Sequence, residues 1–176
     1  MKFTGTKIPG VVIVEIEPIG DERGFFARSY CAREFEAAGL TLPVAQTNLS
    51  YNAARSTLRG MHYQADPKPE PKLVRCLRGA IFDVAIDLRP QSPSYCDWFG
   101  LELSEGSGKA LFVPPGCAHG FLTLADDTLV SYVMGEFYVP DLSRGVRWND
   151  PAFGIEWPDL PAVISDRDAG YVDFAL

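Results

Sequence analysis

The sequence contains little histidine and little positive charge, and it has no long apolar run. Two of its 176 residues are histidine, and 16 lysines and arginines stand against 23 aspartates and glutamates, for a net charge of −7. Binding to nucleic acid or to a membrane surface requires a basic stripe, so we expect neither partner for this acidic chain. No run approaches the roughly 20 apolar residues of a membrane span. We also expect no signal peptide, because the residues after Met1 form no apolar segment.

The cysteines are few and scattered. Cys31, Cys76, Cys96 and Cys117 form no CxxC pair. This pattern predicts free thiols and is typical of a cytoplasmic protein, which is the location we expect. Cys117 stands two residues before His119, and we favour a small packing residue there over a nucleophile.

Short apolar runs separated by Gly, Pro, Asn and Ser dominate the chain after one convincing helix at 31–38. Strands at such spacing predict an all-β sandwich or barrel. The length suits one sizeable core, so we expect a single domain over 1–176. A serine cap predicts one helical turn at 165–169. The predicted strands span 11–16, 44–49, 57–63, 73–77, 80–88, 98–103, 110–113, 120–124 and 129–134.

Both histidines lie in strand-like, half-apolar stretches between positions 57 and 121. Histidine is the side chain whose unperturbed pKa, about 6.5, suits proton transfer near neutral pH. Only His62 and His119 are available in the whole chain. The choice of a general base is therefore nearly forced.

A series of short motifs follows in order along the chain, from about Gly10 to Asp168. Together they resemble the nucleotide-sugar 3,5-epimerases typified by dTDP-4-dehydrorhamnose 3,5-epimerase. The resemblance implies a cupin-type jelly roll, a homodimer, a small-molecule nucleotide-sugar substrate and no cofactor. The motifs are DERGFF at 21–26, QTN at 46–48, LRGMHYQ at 58–64, KLVR at 72–75, PGCAHGF at 115–121, RGVRWNDP at 144–151 and SDRD at 165–168.

The implied reaction inverts C3, C5 or both carbons of a nucleotide-diphospho-4-keto-6-deoxyhexose. It requires a base, a cationic group at the enolate oxygen and an acid on the opposite face of the sugar. The resemblance implies His62 as base, Asp168 as the carboxylate that orients it, Lys72 as the enolate-binding cation and Tyr132 as proton donor. Without the resemblance, Asp168 is read as a solvated tail carboxylate and Tyr132 as a core tyrosine.

A partner for Lys72 can be predicted from local spacing. If Arg78 and Gly79 form the turn of a hairpin, Lys72 lies within one or two cross-strand pairs of Asp83, and the two side chains can form an ion pair. A paired lysine stays charged, as enolate stabilisation requires. The alternative is an ion pair on the surface.

Strict strand alternation places Arg59 and His62 on opposite faces, although the resemblance directs both into one site. Gly60 between them predicts a bulge that re-aims one of the two side chains. Arg23 and Arg59 then suit a diphosphate, because a guanidinium fork matches phosphate oxygens. The other substrate-binding residues implied by the resemblance are Phe26, Gln46, Asn48, His119 and Tyr138.

Two positions depart from the family pattern in or near the nucleotide-binding region. The family commonly has glutamate where this chain has Arg28 and Ser143. A carboxylate accepts from the N3–H of thymine, whereas arginine only donates. If Arg28 faces the base, a CDP- or GDP-linked sugar is expected, because cytosine and guanine offer acceptors. The alternative is that Arg28 points to solvent or pairs with a phosphate.

Two other functions compete with the epimerase. The stretch 114–119 resembles the second half-motif of metal-dependent cupin oxygenases and isomerases, but the companion HxH is absent. Two histidines cannot build the usual three-histidine site, so we expect no metal. The second alternative is a non-catalytic cupin that binds sugar nucleotides. The presence of His62, Lys72 and Tyr132 together argues against it.

Overall fold

A computed structural model describes residues 1–175 and places many of them in short β-strands. Its helices are α1 (Ala32–Ala37), a 3₁₀ turn (Pro140–Leu142) and α2 (Asp166–Ala169). The strands are β1 (Lys2–Gly5), β2 (Val12–Glu15), β3 (Ile19–Asp21), β4 (Gly24–Phe26), β5 (Gln46–Asn52), β6 (Leu58–Gln64), β7 (Lys72–Arg78), β8 (Ala80–Asp87), β9 (Trp98–Ser104), β10 (Lys109–Val113), β11 (Cys117–Thr123), β12 (Thr128–Met134) and β13 (Ser143–Gly145).

Two large antiparallel sheets form the body of the protein. One has the order β1-β2-β10-β7-β12-β5 and the other the order β13-β6-β11-β8-β9. Apolar side chains from both sheets share one buried cluster, including Val74 and Val130 from the first sheet and Ala85 and Phe121 from the second. The predicted all-β, cupin-type jelly-roll sandwich is confirmed.

The hairpin predicted at Arg78 and Gly79 is wrong. Strand β7 pairs with β10 and β12, whereas β8 pairs with β9 and β11 in the other sheet. The single residue between β7 and β8 is shorter than the two-residue loops that close tight hairpins. Gly79 has a φ of +77°, and a Cβ there would lie 2.4 Å from the Thr128 hydroxyl oxygen. The chain therefore crosses between sheets at this glycine.

The predicted helices are confirmed, whereas some short strands were missed. Helix α1 is followed by Gly39 at a φ of +73°, and Ser165 caps α2 by accepting the backbone N–H of Asp168. Strands β1, β3, β4 and β13 have three or four residues each and too few apolar positions for a period to show. No helix within residues 1–175 is long and apolar enough to cross a membrane.

Strands β3 and β4 form a separate two-stranded hairpin outside the two large sheets. Its apolar side chains face solvent: Ile19, Phe25 and Phe26 are 76%, 68% and 78% exposed. Such an apolar projection on a single chain is typical of a contact surface.

Candidate active site

A cavity of about 380 Å³ opens between the two large sheets. Residues from β5, β7 and β12 line one wall, residues from β6, β11 and β13 line the other, and α2 closes one side. Nine of the twelve predicted site residues line it: Gln46, Asn48, Arg59, His62, Lys72, His119, Tyr132, Tyr138 and Asp168.

His62 and Asp168 form a hydrogen-bonded pair in the cavity wall. His62 Nε2 lies 2.7 Å from Asp168 Oδ1, and the Gly60 backbone N–H donates to Asp168 Oδ2 at 3.2 Å. A carboxylate only accepts, so Nε2 carries a proton, and Nδ1 makes no hydrogen bond to the residues described, 1–175. Burial by itself raises the pKa of Asp168, but the hydrogen bond and charge of His62, together with hydrogen bonds from Gly60 and Ser165, outweigh it, and the net pKa is lowered.

Gly60 is the residue that lets Arg59 and His62 line the same cavity. The register between β6 and β11 shifts there, with His119 opposite His62 but Phe121 opposite Arg59. The predicted bulge is therefore confirmed. A Cβ on Gly60, at its φ of +139°, would lie 2.5 Å from the Gly120 Cα. Only glycine fits this crossing.

Tyr132 lies on β12, in the sheet opposite the one that carries His62. Its side chain packs against the buried cluster shared by the two sheets and lines the cavity. Burial raises the pKa of Tyr132 above its usual range, and the nearby Asp83 carboxylate adds to the effect. The phenol therefore stays protonated and can donate.

Lys72 does not pair with Asp83, because the two residues lie on different sheets. Instead, Lys72 Nζ donates to Glu70 Oε1 at 2.9 Å, and the two side chains are only 5% and 11% exposed. The alternative of a surface ion pair is wrong as well. The ammonium lies in the cavity wall, and its charge has a buried carboxylate partner.

Asp83 pairs with His119 instead. His119 Nε2 lies 2.8 Å from Asp83 Oδ1, and both side chains are buried. The His119 ring packs edge-on against Tyr132, with ring centroids 5.9 Å apart. This pair therefore supports the Tyr132 ring, and His119 also lines the cavity.

Two arginines at the cavity have no carboxylate partner among residues 1–175. Arg59 donates to Asn52 Oδ1 at 2.7 Å, which fixes its direction. Arg167 donates to the Ser143 hydroxyl at 2.8 Å and to the Tyr171 hydroxyl at 3.0 Å. Their positive charge remains available to an anionic ligand.

Two glutamines hold the segment that carries Tyr138. Gln46 Oε1 accepts the backbone N–H of Tyr138 at 2.7 Å. Gln64 Oε1 accepts the backbone N–H of Val139 at 2.8 Å, and its Nε2 donates to the Phe137 carbonyl at 3.1 Å. Tyr138 is therefore held at the cavity although it lies outside the strands.

Arg23, Phe26 and Arg28 do not line the cavity of this chain. Arg23 pairs with Asp21 in the exposed hairpin, and Phe26 projects into solvent beside it. Arg28 Nη1 donates to Glu34 Oε1 at 2.8 Å, on the surface. Within one chain, these three residues therefore lie apart from the nine that line the cavity.

Sequence reasoning missed Glu70 and Arg167 as cavity residues. Each stands next to a predicted residue: Glu70 two before Lys72, and Arg167 directly before Asp168. That proximity was the available signal, but it does not tell which neighbours point into the cavity.

The donors of the described chain do not assemble a metal site. No group of three or more His, Cys, Asp and Glu residues within 1–175 is arranged to hold an ion. Cys117 is buried, and burial raises its thiol pKa to about 12, which fits a packing residue.

Known proteins with similar sequences are sugar-nucleotide epimerases, in agreement with the geometry of the cavity. A family model described as dTDP-4-dehydrorhamnose 3,5-epimerase matches residues 5–175. The enzyme of that name from Methanothermobacter thermautotrophicus is 42% identical over 175 residues, which cover 97% of this chain and 92% of the relative.

Two solved epimerase structures superimpose on almost the whole of this chain. The Bacillus anthracis enzyme of the same name, crystallised with TDP and PPi, superimposes with a TM-score of 0.95 at 40% identity, covering 98% of this chain and 99% of that one. The Legionella pneumophila epimerase, in complex with dTDP-4-keto-L-rhamnose, superimposes with a TM-score of 0.90 at 35% identity. The match covers 97% of this chain and 90% of that one.

Proposed function

The chain belongs to the dTDP-4-dehydrorhamnose 3,5-epimerase family, and we propose that His62, Tyr132 and Lys72 carry out its epimerisation of a nucleotide-linked sugar. The substrate is a nucleotide-diphospho-4-keto-6-deoxyhexose, inverted at C3, C5 or both. The observation that carries the residue roles is the placement of a histidine–aspartate pair and a protonated tyrosine on opposite walls of one cavity.

His62 acts as the base. Its Nδ1 removes the proton from the carbon next to the C4 ketone, while Nε2 stays bonded to Asp168. The carboxylate holds the ring in this tautomer and stabilises the imidazolium that forms.

Lys72 binds the oxygen on which negative charge develops. Removing a proton beside the ketone moves an electron pair onto the C4 oxygen, giving an enolate. A buried ammonium stabilises that charge strongly because little water screens it.

Tyr132 returns a proton to the opposite face of the same carbon. It lies on β12, across the cavity from β6 and His62. Because burial raises its pKa, the phenol holds its proton until the enolate carbon takes it. Delivery from the other wall inverts the configuration. The His62 imidazolium then gives up its proton to solvent, and the Tyr132 phenolate takes one from solvent, so that both return to their starting states.

Arg59 and Arg167 bind the diphosphate of the substrate. Both line the cavity and neither has a carboxylate partner within the described chain. A guanidinium presents a fork of donors that matches phosphate oxygens. The sugar is thereby oriented toward His62 and Tyr132.

A second copy of this chain completes the site in our proposal. The β3–β4 hairpin carries Arg23 and Phe26 away from the cavity of its own chain and exposes three large apolar side chains. A homodimer would bury this surface and bring Arg23 to a neighbouring cavity. Sedimentation should give twice the 19.4 kDa chain mass. A monomer at micromolar concentration that turns over at full rate would contradict this arrangement.

We propose a dTDP-linked substrate. The relatives reported above carry dTDP in their names, and the Arg28 guanidinium is already paired with the Glu34 carboxylate of its own chain. The same 4-keto-6-deoxyhexose linked to dTDP, CDP and GDP should therefore give a kcat/KM at least about tenfold higher for dTDP. A preference for CDP or GDP would instead support contact of Arg28 with the base.

A chelator added in the same assay distinguishes a metal-independent epimerase from a metal-dependent cupin. Prolonged treatment with EDTA should leave turnover of the dTDP sugar unchanged, because acid, base and ammonium suffice for the chemistry. Loss of turnover that one divalent ion restores would contradict the proposed roles.

We also propose a cytoplasmic location. All four cysteines are free thiols, as is usual where thiols are kept reduced. Fractionation of the producing cells tests the location, and recovery in a secreted fraction would contradict it.

A further inference from the structure

Glu70 is an acidic side chain inside a cavity that must bind an anionic substrate. It lines the cavity together with Lys72, and its Oε1 accepts from Lys72 Nζ at 2.9 Å. Burying a carboxylate is costly unless it is paired. We therefore ask what the Glu70 carboxylate does beside Lys72, the lysine proposed to bind the enolate.

Two prolines restrict the backbone around Glu70. Glu70 stands between Pro69 and Pro71, so both its own conformations and those of its neighbours are restricted. The Pro71 carbonyl accepts the backbone N–H of Gly135 at 2.8 Å, and a Cβ on Gly135 would lie 2.5 Å from the Pro71 ring. This contact ties Glu70 to the end of β12, the strand that carries Tyr132.

The geometry leaves part of the lysine free for a ligand. An ammonium has three N–H donors, and within residues 1–175 Lys72 Nζ uses one of them, on Glu70. Two donors remain for an oxygen in the cavity. A lysine side chain has four rotatable bonds, so a fixed acceptor is what limits where its ammonium lies.

We propose that Glu70 is a positioning residue, which holds the Lys72 ammonium where the C4 oxygen of the substrate becomes an enolate. The inference rests on the proposed role of Lys72. Glu70 does not touch the reacting carbon in this account; it acts through the lysine. A nearby ion pair provides the contrast: Lys68 and Glu136 are 54% and 24% exposed and lie outside the cavity.

The first test is Glu70→Gln, which keeps the size and an acceptor oxygen but removes the charge. We expect kcat to fall about 10- to 100-fold, as for a catalytic group displaced by about 1 Å, with KM changed less than about threefold. Glu136→Gln is the matched control and should leave both constants unchanged. Unchanged or increased kcat in Glu70→Gln would overturn the inference.

Glu70→Asp guards against a folding defect in the first variant. It retains the charge, so no unpaired lysine is buried, but withdraws the carboxylate by one methylene, about 1.5 Å. We expect kcat to fall at least about fivefold with an unchanged thermal midpoint. Wild-type kcat in this variant would show that the position of the carboxylate does not matter and would overturn the inference.

A double-mutant cycle with Lys72→Met shows whether Glu70 acts through Lys72. Lys72→Met alone should lower kcat strongly, and adding Glu70→Gln should lower it no further. A further drop of tenfold would overturn the inference, since Glu70 would then act independently. If Lys72→Met alone leaves kcat unchanged, the proposed role of Lys72 fails, and the positioning role fails with it.

Discussion

Replacing His62 with alanine should lower deuterium exchange at every carbon that exchanges, whether C3, C5 or both, by about 10²- to 10⁴-fold, the usual contribution of a general base. The His62 imidazole lines the cavity, and its Nε2 is held by the buried Asp168 carboxylate. His119 lies opposite His62 in the sheet, but its ring is buried against Asp83 and Tyr132. It is therefore not free to replace His62.

Exchange is measured by NMR in D₂O, which detects rates far below normal turnover. Truncating His62 leaves the buried Asp168 carboxylate without its histidine partner, so the thermal midpoint of the variant is measured to show that it is folded. A loss of less than about tenfold in a folded variant would remove His62 from the role of base.

The second large effect is expected from Tyr132→Phe, which should separate proton removal from inversion. His62 and Lys72 are untouched by the change, so deuterium should still enter the sugar on the face of His62. Inversion requires a proton from the other wall, and the phenyl ring has none to give. We therefore expect inversion to fall by about 10²-fold or more, and exchange to fall much less.

Tyr30→Phe is the matched control, because the Tyr30 hydroxyl donates to the Leu42 carbonyl away from the cavity. It should leave inversion and exchange at wild-type rates. If Tyr132→Phe lowers both processes equally, or neither, Tyr132 is a packing residue and the donor lies elsewhere.

Short-range patterns predicted the strands well but the pairing between them poorly. The apolar runs of β6, β8 and β12 were found because their side chains alternate or form buried stretches. The turn at Gly79 was misassigned because a glycine between two apolar runs indicates a reversal, whether the chain folds back or crosses to another sheet. The error carried over to Lys72, which was given Asp83 instead of Glu70 as its partner.

In the candidate site as well, residues that stand in local motifs were predicted, whereas a residue whose role depends on the folded structure was not. His62, Lys72, Tyr132 and Asp168 stand in motifs, and the cavity brings all four together. Glu70 was overlooked because one acidic residue among prolines resembles any solvated loop carboxylate. Its role depends on which way the side chain points, which composition and spacing do not encode.

Residues that act between chains are the hardest to place from one sequence. Arg23 and Phe26 stand in a motif of the family, yet in the single chain they project from an exposed hairpin. The proposed homodimer would account for their position, because a second copy would cover the hairpin. The predicted homodimer and the predicted binding residues therefore depend on each other.

The most direct test of the central claim is the fate of the sugar protons during turnover by the unmodified protein. A dTDP-linked 4-keto-6-deoxyhexose is incubated with the protein in D₂O, and the sugar is followed by NMR. The account predicts that every inverted carbon, whether C3, C5 or both, carries deuterium, because the donor hydroxyl exchanges with solvent. Inversion of a carbon that keeps its original proton would contradict it, as would the absence of exchange at both carbons.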